Sequence, residues 1–247
     1  MIVRPGPVAE MVAGLGTILG VWAHPDDEAY LSGGLMAAAV DAGSRVVCVT
    51  ATRGERGTSD PDTWPAERLA RVREAELAAS LRGLGVTEHV QLRYPDGGCA
   101  DVPAAGAVGR IAELIAGVRP DTVVTFGPDG MTGHVDHRTV SAWTTAAVAR
   151  STTPLRPRLL YATTAVGWSR RFQSLHRMLG VFPPGLPPQV TSEDRAFHLV
   201  LPDHLLDRKV AALLAHASQV TQVMEVVGRN VFRSWVANES FELSGGP

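Results

Sequence analysis

Between residues 17 and 163, short apolar runs alternate with longer helical patterns, and this alternation restricts the fold more than any other feature of the chain. Runs at 17–23, 45–51, 89–93, 121–126 and 159–163 read as strands. The run at 45–51, RVVCVTA, is β-branched and apolar without alternation, as strands buried on both faces of a parallel sheet are. Helical patterns run from Asp26 and Asp27 to about Ala42, from Pro65 to Leu84 with Gly85 as C-cap, from Pro103 to Val118, and from His134 to Arg150. Mostly short links join them into βαβ units. The predicted fold is therefore α/β, a Rossmann-like and mostly parallel sheet with helices on both faces, its site at the carboxyl ends of the strands.

Outside that stretch the pattern weakens. Residues 1–14 read as a loose arm, 182–188 as a proline-rich surface loop, 196–201 as a late, peripheral strand and 202–227 as helical. A length of 247 residues suits one α/β domain over 1–247, with a catalytic core at about 17–163 and a substrate-loop and C-terminal helical part at about 164–247. Trp168, Arg170, Arg171 and Phe172 stand where a substrate-shaping loop is expected.

The net charge is −2 with signs mixed throughout, which leaves no electrostatic footprint for nucleic acid. Neither a leader nor a spanning helix is legible, so the expectation is a soluble, cytoplasmic protein without a membrane partner; a homo-oligomer stays open. Two cysteines make no disulfide framework. Cys48, inside an apolar run, reads as a small buried hydrophobe, and Cys99, after two glycines, as more exposed.

The chemistry gathers at the strand ends. His24, Asp26 and Asp27 follow the first strand, Arg53 and Glu55 the second, Asp96 the third, and Asp129, His134, Asp136 and His137 the fourth. A helix start needs one capping carboxylate, not two, so a purely structural role for Asp26-Asp27 leaves one unexplained. Two histidines and a carboxylate make a three-ligand zinc site with an open position for water. Copper and iron accept similar ligands, but zinc best suits hydrolysis without redox chemistry. His176, His198 and His204 have no partner spacing and read as surface or packing residues.

Ala23-His24-Pro25-Asp26-Asp27-Glu28 together with Gly133-His134-Val135-Asp136-His137 resembles the LmbE-like, or PIG-L, family of zinc-dependent N-deacetylases. Further matches are Thr52-Arg53-Gly54-Glu55, Arg73-x-x-Glu76, Leu84-Gly85-Val86, Pro95-Asp96-Gly97, and Lys209 leading to His216-Ala217-Ser218-Gln219, so the resemblance spans about residues 17–220. It implies zinc ligands at His24, Asp27 and His137, a general base at Asp26, and oxyanion or leaving-group assistance from His134. For Arg53, Arg73 and Asp96 it implies sugar-hydroxyl contacts, with the holding of loops an equal alternative, and it assigns no role to His216 or Gln219. Val135 replaces the proline of the family's second motif, and Thr132 stands where some relatives carry tyrosine. The implied reaction removes an N-acyl group, acetyl above all, from an amino-sugar glycoside or conjugate. Cleavage of a mycothiol-type thiol conjugate, or an inactive sugar-binding relative, are the alternatives; the intact motif residues argue against the latter.

Overall fold

The computed structural model describes residues 8–151, 156–182, 190–191 and 196–245. In chain order these form α1 (Val8–Ala13), β1 (Ile18–Trp22), α2 (Asp27–Asp41), β2 (Val46–Thr52), α3 (Ala66–Leu84), β3 (Glu88–Tyr94), α4 (Ala104–Val118), β4 (Thr122–Phe126), the single turn α5 (Gly130–Gly133), α6 (Val135–Ala149) and β5 (Arg158–Ala162). There follow β6 (Thr164–Ala165), α7 (Val166–Arg171), α8 (Gln173–Leu179), β7 (Val190–Thr191), β8 (Ala196–Val200), α9 (Asp203–Ala215), α10 (Ala217–Val227), α11 (Arg229–Trp235) and β9 (Asn238–Leu243).

The main sheet runs β3-β2-β1-β4-β5-β9-β8. β3, β2, β1, β4 and β5 are mutually parallel, and β9 is antiparallel to both its neighbours. β1, β2 and β4 are buried at every residue, which is why their sequences are apolar without alternation. Ile18 lies opposite both Val46 and Thr122, so β1 is the axis from which the chain first builds outward through β2 and β3, then back through β4 and β5. The order reverses between β1 and β4, and that crevice, at the carboxyl ends, is where open α/β sheets bind ligands. One helical layer is α2, α3 and α9; a second is α4 with α6. α3 stops at Gly85 (φ 81°), and the Val86 amide reaches back to the Leu81 carbonyl.

The structure departs from expectation in four places. Residues 8–13 form a helix rather than a loose arm, with Val12 wholly buried. The helical stretch at 202–227 is two helices bent by 118°, because α9 ends at His216, whose ring turns inward to Glu28. The sequence-predicted strand at 196–201 is β8, the sheet edge, but β9 inserts between it and β5. Cys99 is buried, not exposed. The proline-rich stretch from 183 lies outside the described residues.

A buried ion pair ties the last strand to α2. Glu239 on β9 accepts the amides of Gly34 (2.7 Å) and Leu35 (2.8 Å), in the middle of a helix. Lys209 on α9, the sole lysine of the chain, donates to Glu239 (2.7 Å) and to the Tyr30 carbonyl (2.8 Å), the acceptor one helical turn before Gly34. The pair is thus wedged into the hydrogen-bond ladder of α2. Gly34 is required there: a Cβ would lie 2.3 Å from the Leu201 side chain.

Candidate active site

β1 ends at Trp22, a buried Ala23 follows it, and Pro25 keeps His24 out of the helical region, so the chain turns abruptly at the switch point. Asp26 completes the turn with φ 103°, a left-handed conformation that few non-glycine residues adopt. Three contacts hold it there. Its amide donates to Glu28 Oε2 (2.9 Å), its carboxylate pairs with Arg73 Nη2 (3.1 Å), and the same guanidinium donates to the Pro25 carbonyl. Glu28 is in turn fixed by Ser80 (3.1 Å) and His216 Nε2 (2.9 Å), all three buried. Neither aspartate caps α2 by its side chain: Asp26 makes no cap bond, and Asp27 accepts the amide of His24 at 2.8 Å.

β4 delivers the other half. Phe126 at its end stacks on the His137 ring, centroids 4.2 Å apart and nearly coplanar. Gly130 (φ 74°) lets the loop close over His137, whose Nδ1 faces the Gly130 carbonyl at 3.0 Å and Thr132 Oγ1 at 3.3 Å. Its Nε2 therefore carries the lone pair and points at His24 Nδ1 (3.1 Å) and Asp27 Oδ1 (3.4 Å). The His24 ring is oriented the same way, its Nε2 held from behind by Asp96 (3.1 Å) and Asp136 (3.3 Å), its Nδ1 3.5 Å from Asp27 Oδ2. This backing of histidine by carboxylate or carbonyl is what metal-ligating imidazoles receive in general.

His24 Nδ1 and His137 Nε2 lie 3.1 Å apart, and each faces an oxygen of Asp27, Oδ2 at 3.5 Å and Oδ1 at 3.4 Å, so the four atoms gather where a cation would draw them together. A tetrahedral zinc site with bonds of about 2.0–2.1 Å has ligand–ligand edges of about 3.3 Å. The donor set fits such an ion in spacing and chemistry. His134 adds a third imidazole within 4.8 Å of His24 and His137, but it is exposed and its Nδ1 already accepts the Asp136 amide at 3.1 Å. His24 with Asp96 and Asp136 forms a second close cluster. There, Asp136 is fully buried and spends its oxygens on the amides of Gly97 (2.7 Å) and Cys99 (3.1 Å), so no substrate could approach.

Charge follows burial and neighbours. Burial works to lower the His24 pKa, yet hydrogen bonds from its ring to Asp136, Asp27 and Asp96 leave it well above 6.5. Burial lowers His137 to about 4, with His24 and His134 adding to the effect against Asp27. Asp27 is held below the usual carboxylate range because His137 and His24 outweigh its burial. Asp26 goes the other way, to about 6, chiefly by burial and despite Arg73.

Of the sequence-predicted residues, His24, Asp26, Asp27, His134 and His137 converge. The three residues expected either to contact sugar or to hold loops are all engaged within the protein. Arg73 is buried and spends its guanidinium on Asp26, Pro25 and Gly54, where a glycine Cβ would strike it at 2.2 Å. Asp96 is buried between His24 and the Arg56 amide (2.8 Å). Arg53 is locked to Glu67 (2.9 Å) and Glu74 (3.1 Å). Sequence reasoning missed the roles of Asp136, Glu28 and Ser80, and left His216 without one. His176 is a packing residue, taking the Trp235 indole N–H at 3.1 Å.

A sequence family described as PIG-L, GlcNAc-PI de-N-acetylase, matches residues 19–148, the stretch holding every converging residue. The chain belongs to the PIG-L family. Among its PIG-L relatives, the 1D-myo-inositol 2-acetamido-2-deoxy-alpha-D-glucopyranoside deacetylase of Rhodococcus erythropolis is 32% identical, covering 96% of this chain and 93% of its own. The N,N'-diacetylchitobiose deacetylase of Pyrococcus horikoshii superposes with a TM-score of 0.65 at 21% identity, covering 92% of this chain and 83% of that one. A 4-carboxy-2-hydroxymuconate hydratase from Pseudomonas putida superposes at 0.62 and 17% identity, over 94% and 97% of the two chains. At these identities the superpositions establish the shared architecture alone, and the architecture serves more than one chemistry.

Proposed function

We propose that this PIG-L protein is a zinc-dependent amide hydrolase that removes the N-acyl group, acetyl included, from a small amino-sugar conjugate, acting in the cytoplasm. The observation that carries the reading is the triangle of His24 Nδ1, His137 Nε2 and Asp27, with Asp26 beside it and outside it. His24, Asp27 and His137 would hold the metal. Bound zinc supplies Lewis acidity, polarising the amide carbonyl and lowering the pKa of water. The chain's residues then divide the proton work. Asp26, its carboxyl raised by burial, accepts the proton released as water attacks the amide carbon, and returns it to the departing amine. His134 Nδ1 accepts the Asp136 amide, so the neutral ring carries its proton on Nε2 and offers it to the developing oxyanion. Arg73 and Glu28 position Asp26 without touching substrate.

The test is metal content by elemental analysis beside amine release from N-acetylglucosaminyl-inositol, the class of compound on which the Rhodococcus relative acts. Asp26→Asn is expected to keep its zinc while kcat falls by about 10²–10⁴. His137→Ala is expected to lose the metal. Wild-type kcat in the first variant, or full zinc occupancy in the second, would overturn the assignment.

A further inference from the structure

A cavity of about 220 Å³ opens directly against Asp27 and His137, between the end of β5, the start of β9 and the first turn of α2. Tyr30, Leu31, Trp168, Val181, Phe182 and Trp235 form most of its wall. Four of the polar residues on the wall turn their groups elsewhere. Glu239 is spent on Gly34, Leu35 and Lys209; Ser240 on His198 (2.8 Å); Thr132 faces the ring of His137; Thr164 is bonded to Met131. The space beside the reacting centre is therefore apolar, and it is too large for a methyl group. A dry cavity of about 150 Å³ holds benzene, six carbons, so 220 Å³ holds about eight or nine by proportion.

Which end of the substrate enters is decided by the order of strands. The polar rim lies on the opposite side, after β2 and β3. There Arg56 is exposed and its guanidinium stands over Gly97, within 3.2 Å of where a Cβ would be. The exposed His134 stands at the mouth, clear of the cavity wall. Sugar hydroxyls need hydrogen-bonding partners and are costly to place against indole and phenyl rings. A trans secondary amide sends its two substituents in opposite directions. With the sugar over the β2–β3 rim, the acyl substituent points past Asp27 and His137 into the apolar cavity.

We infer that the cavity is an acyl pocket, and that the preferred substrate carries a linear N-acyl group of about six to nine carbons rather than acetyl. This rests on the amide-hydrolase reading above and specifies the acyl group that reading leaves open. Water still supplies the hydroxyl of the released fatty acid, and the amine leaves protonated, so the reaction balances as for acetyl.

The test compares kcat/KM of the zinc-loaded protein on N-acetylglucosamine, N-hexanoylglucosamine, N-octanoylglucosamine and the octyl glycoside of N-acetylglucosamine. Since single methylenes in hydrophobic pockets discriminate by about tenfold or more, the octanoyl amide is expected to exceed the acetyl by at least about tenfold. Leu31→Trp and Ala165→Leu, which fill the cavity from different elements, are expected to lower the octanoyl-to-acetyl ratio by about tenfold. A ratio of one or less, or a gain shown by the octyl glycoside instead of the octanoyl amide, overturns the inference. If no sugar amide is hydrolysed, the deacylase reading fails, and binding decides the pocket separately. Octanoate binding at least about tenfold more tightly than acetate, with the advantage lost in Leu31→Trp, supports it; equal binding overturns it.

Discussion

Lys209→Met removes the counter-charge of a carboxylate that cannot reach water. Lys209 and Glu239 are both shut off from solvent, and burial draws the lysine pKa down while Glu239 opposes the fall. Methionine fills the volume of the lysine stem but brings no donor. Glu239 would keep its bonds to the amides of Gly34 and Leu35, and the Tyr30 carbonyl would lose the ammonium that faces it. Breaking a buried pair from one side costs about 3–5 kcal/mol, and the two retained amide bonds place this case near the lower end, about 3 kcal/mol. For a chain of this length, each kcal/mol moves Tm by about 2–4 °C, so a fall of about 6–12 °C is expected. Urea and thermal unfolding followed by circular dichroism, on wild type, Lys209→Met, Glu239→Gln and the double variant, measure it. The neutral pair should recover part of the loss, with a coupling of about 1–3 kcal/mol. A Lys209→Met protein melting within about 1 °C of wild type, or a cycle that adds without coupling, would refute the wedge as a source of stability.

Two further outcomes follow from the site. Asp136→Asn weakens the grip on His24 Nε2, so the zinc dissociation constant, measured against a chelator, should rise about 10–100-fold; unchanged affinity would mean that Asp136 only braces the turn at 97–99. His216 is buried, which alone lowers its pKa, but Glu28 and Asp26 leave it raised above 6.5. A raised histidine adds stability that is complete below the unfolded pKa and is lost as pH climbs through the folded one. The stability advantage of wild type over His216→Gln should thus be full below about pH 6.5 and shrink as pH rises above it, and a constant difference in urea unfolding would contradict the ion pair with Glu28.

The parallel half of the sheet was legible because burial on both faces leaves a plain mark: β2 reads VVCVTAT and is buried at all seven residues. His24, Asp26, Asp27, His134 and His137 were legible because they lie within two short stretches at the ends of adjacent strands. What was not legible depends on partners remote in the chain. Arg73 reads as one more helix arginine until the Gly54 turn brings it to Asp26, 47 residues away. Glu28 meets His216 across 188 residues, which is also why the break between α9 and α10 left no local signal. β9, NESFEL, carries glutamates at its second and fifth positions, and the first of them is buried where Lys209 meets it. Nothing within the strand announces that exchange.

That last strand also orders events during synthesis. β9 is the last element among the described residues, yet it sits inside the sheet, between β5 and β8. While the ribosome is still adding residues beyond 200, β5 is the open margin of an otherwise complete parallel sheet, and the middle of α2 awaits the carboxylate of residue 239. An unpaired strand edge is the part of a nascent chain most prone to join a neighbouring one. The same strand that makes the closing stitch also lends Asn238, Glu239 and Ser240 to the wall of the apolar cavity, so a chain that stops short of Asn238 would lose the stitch and that part of the wall together.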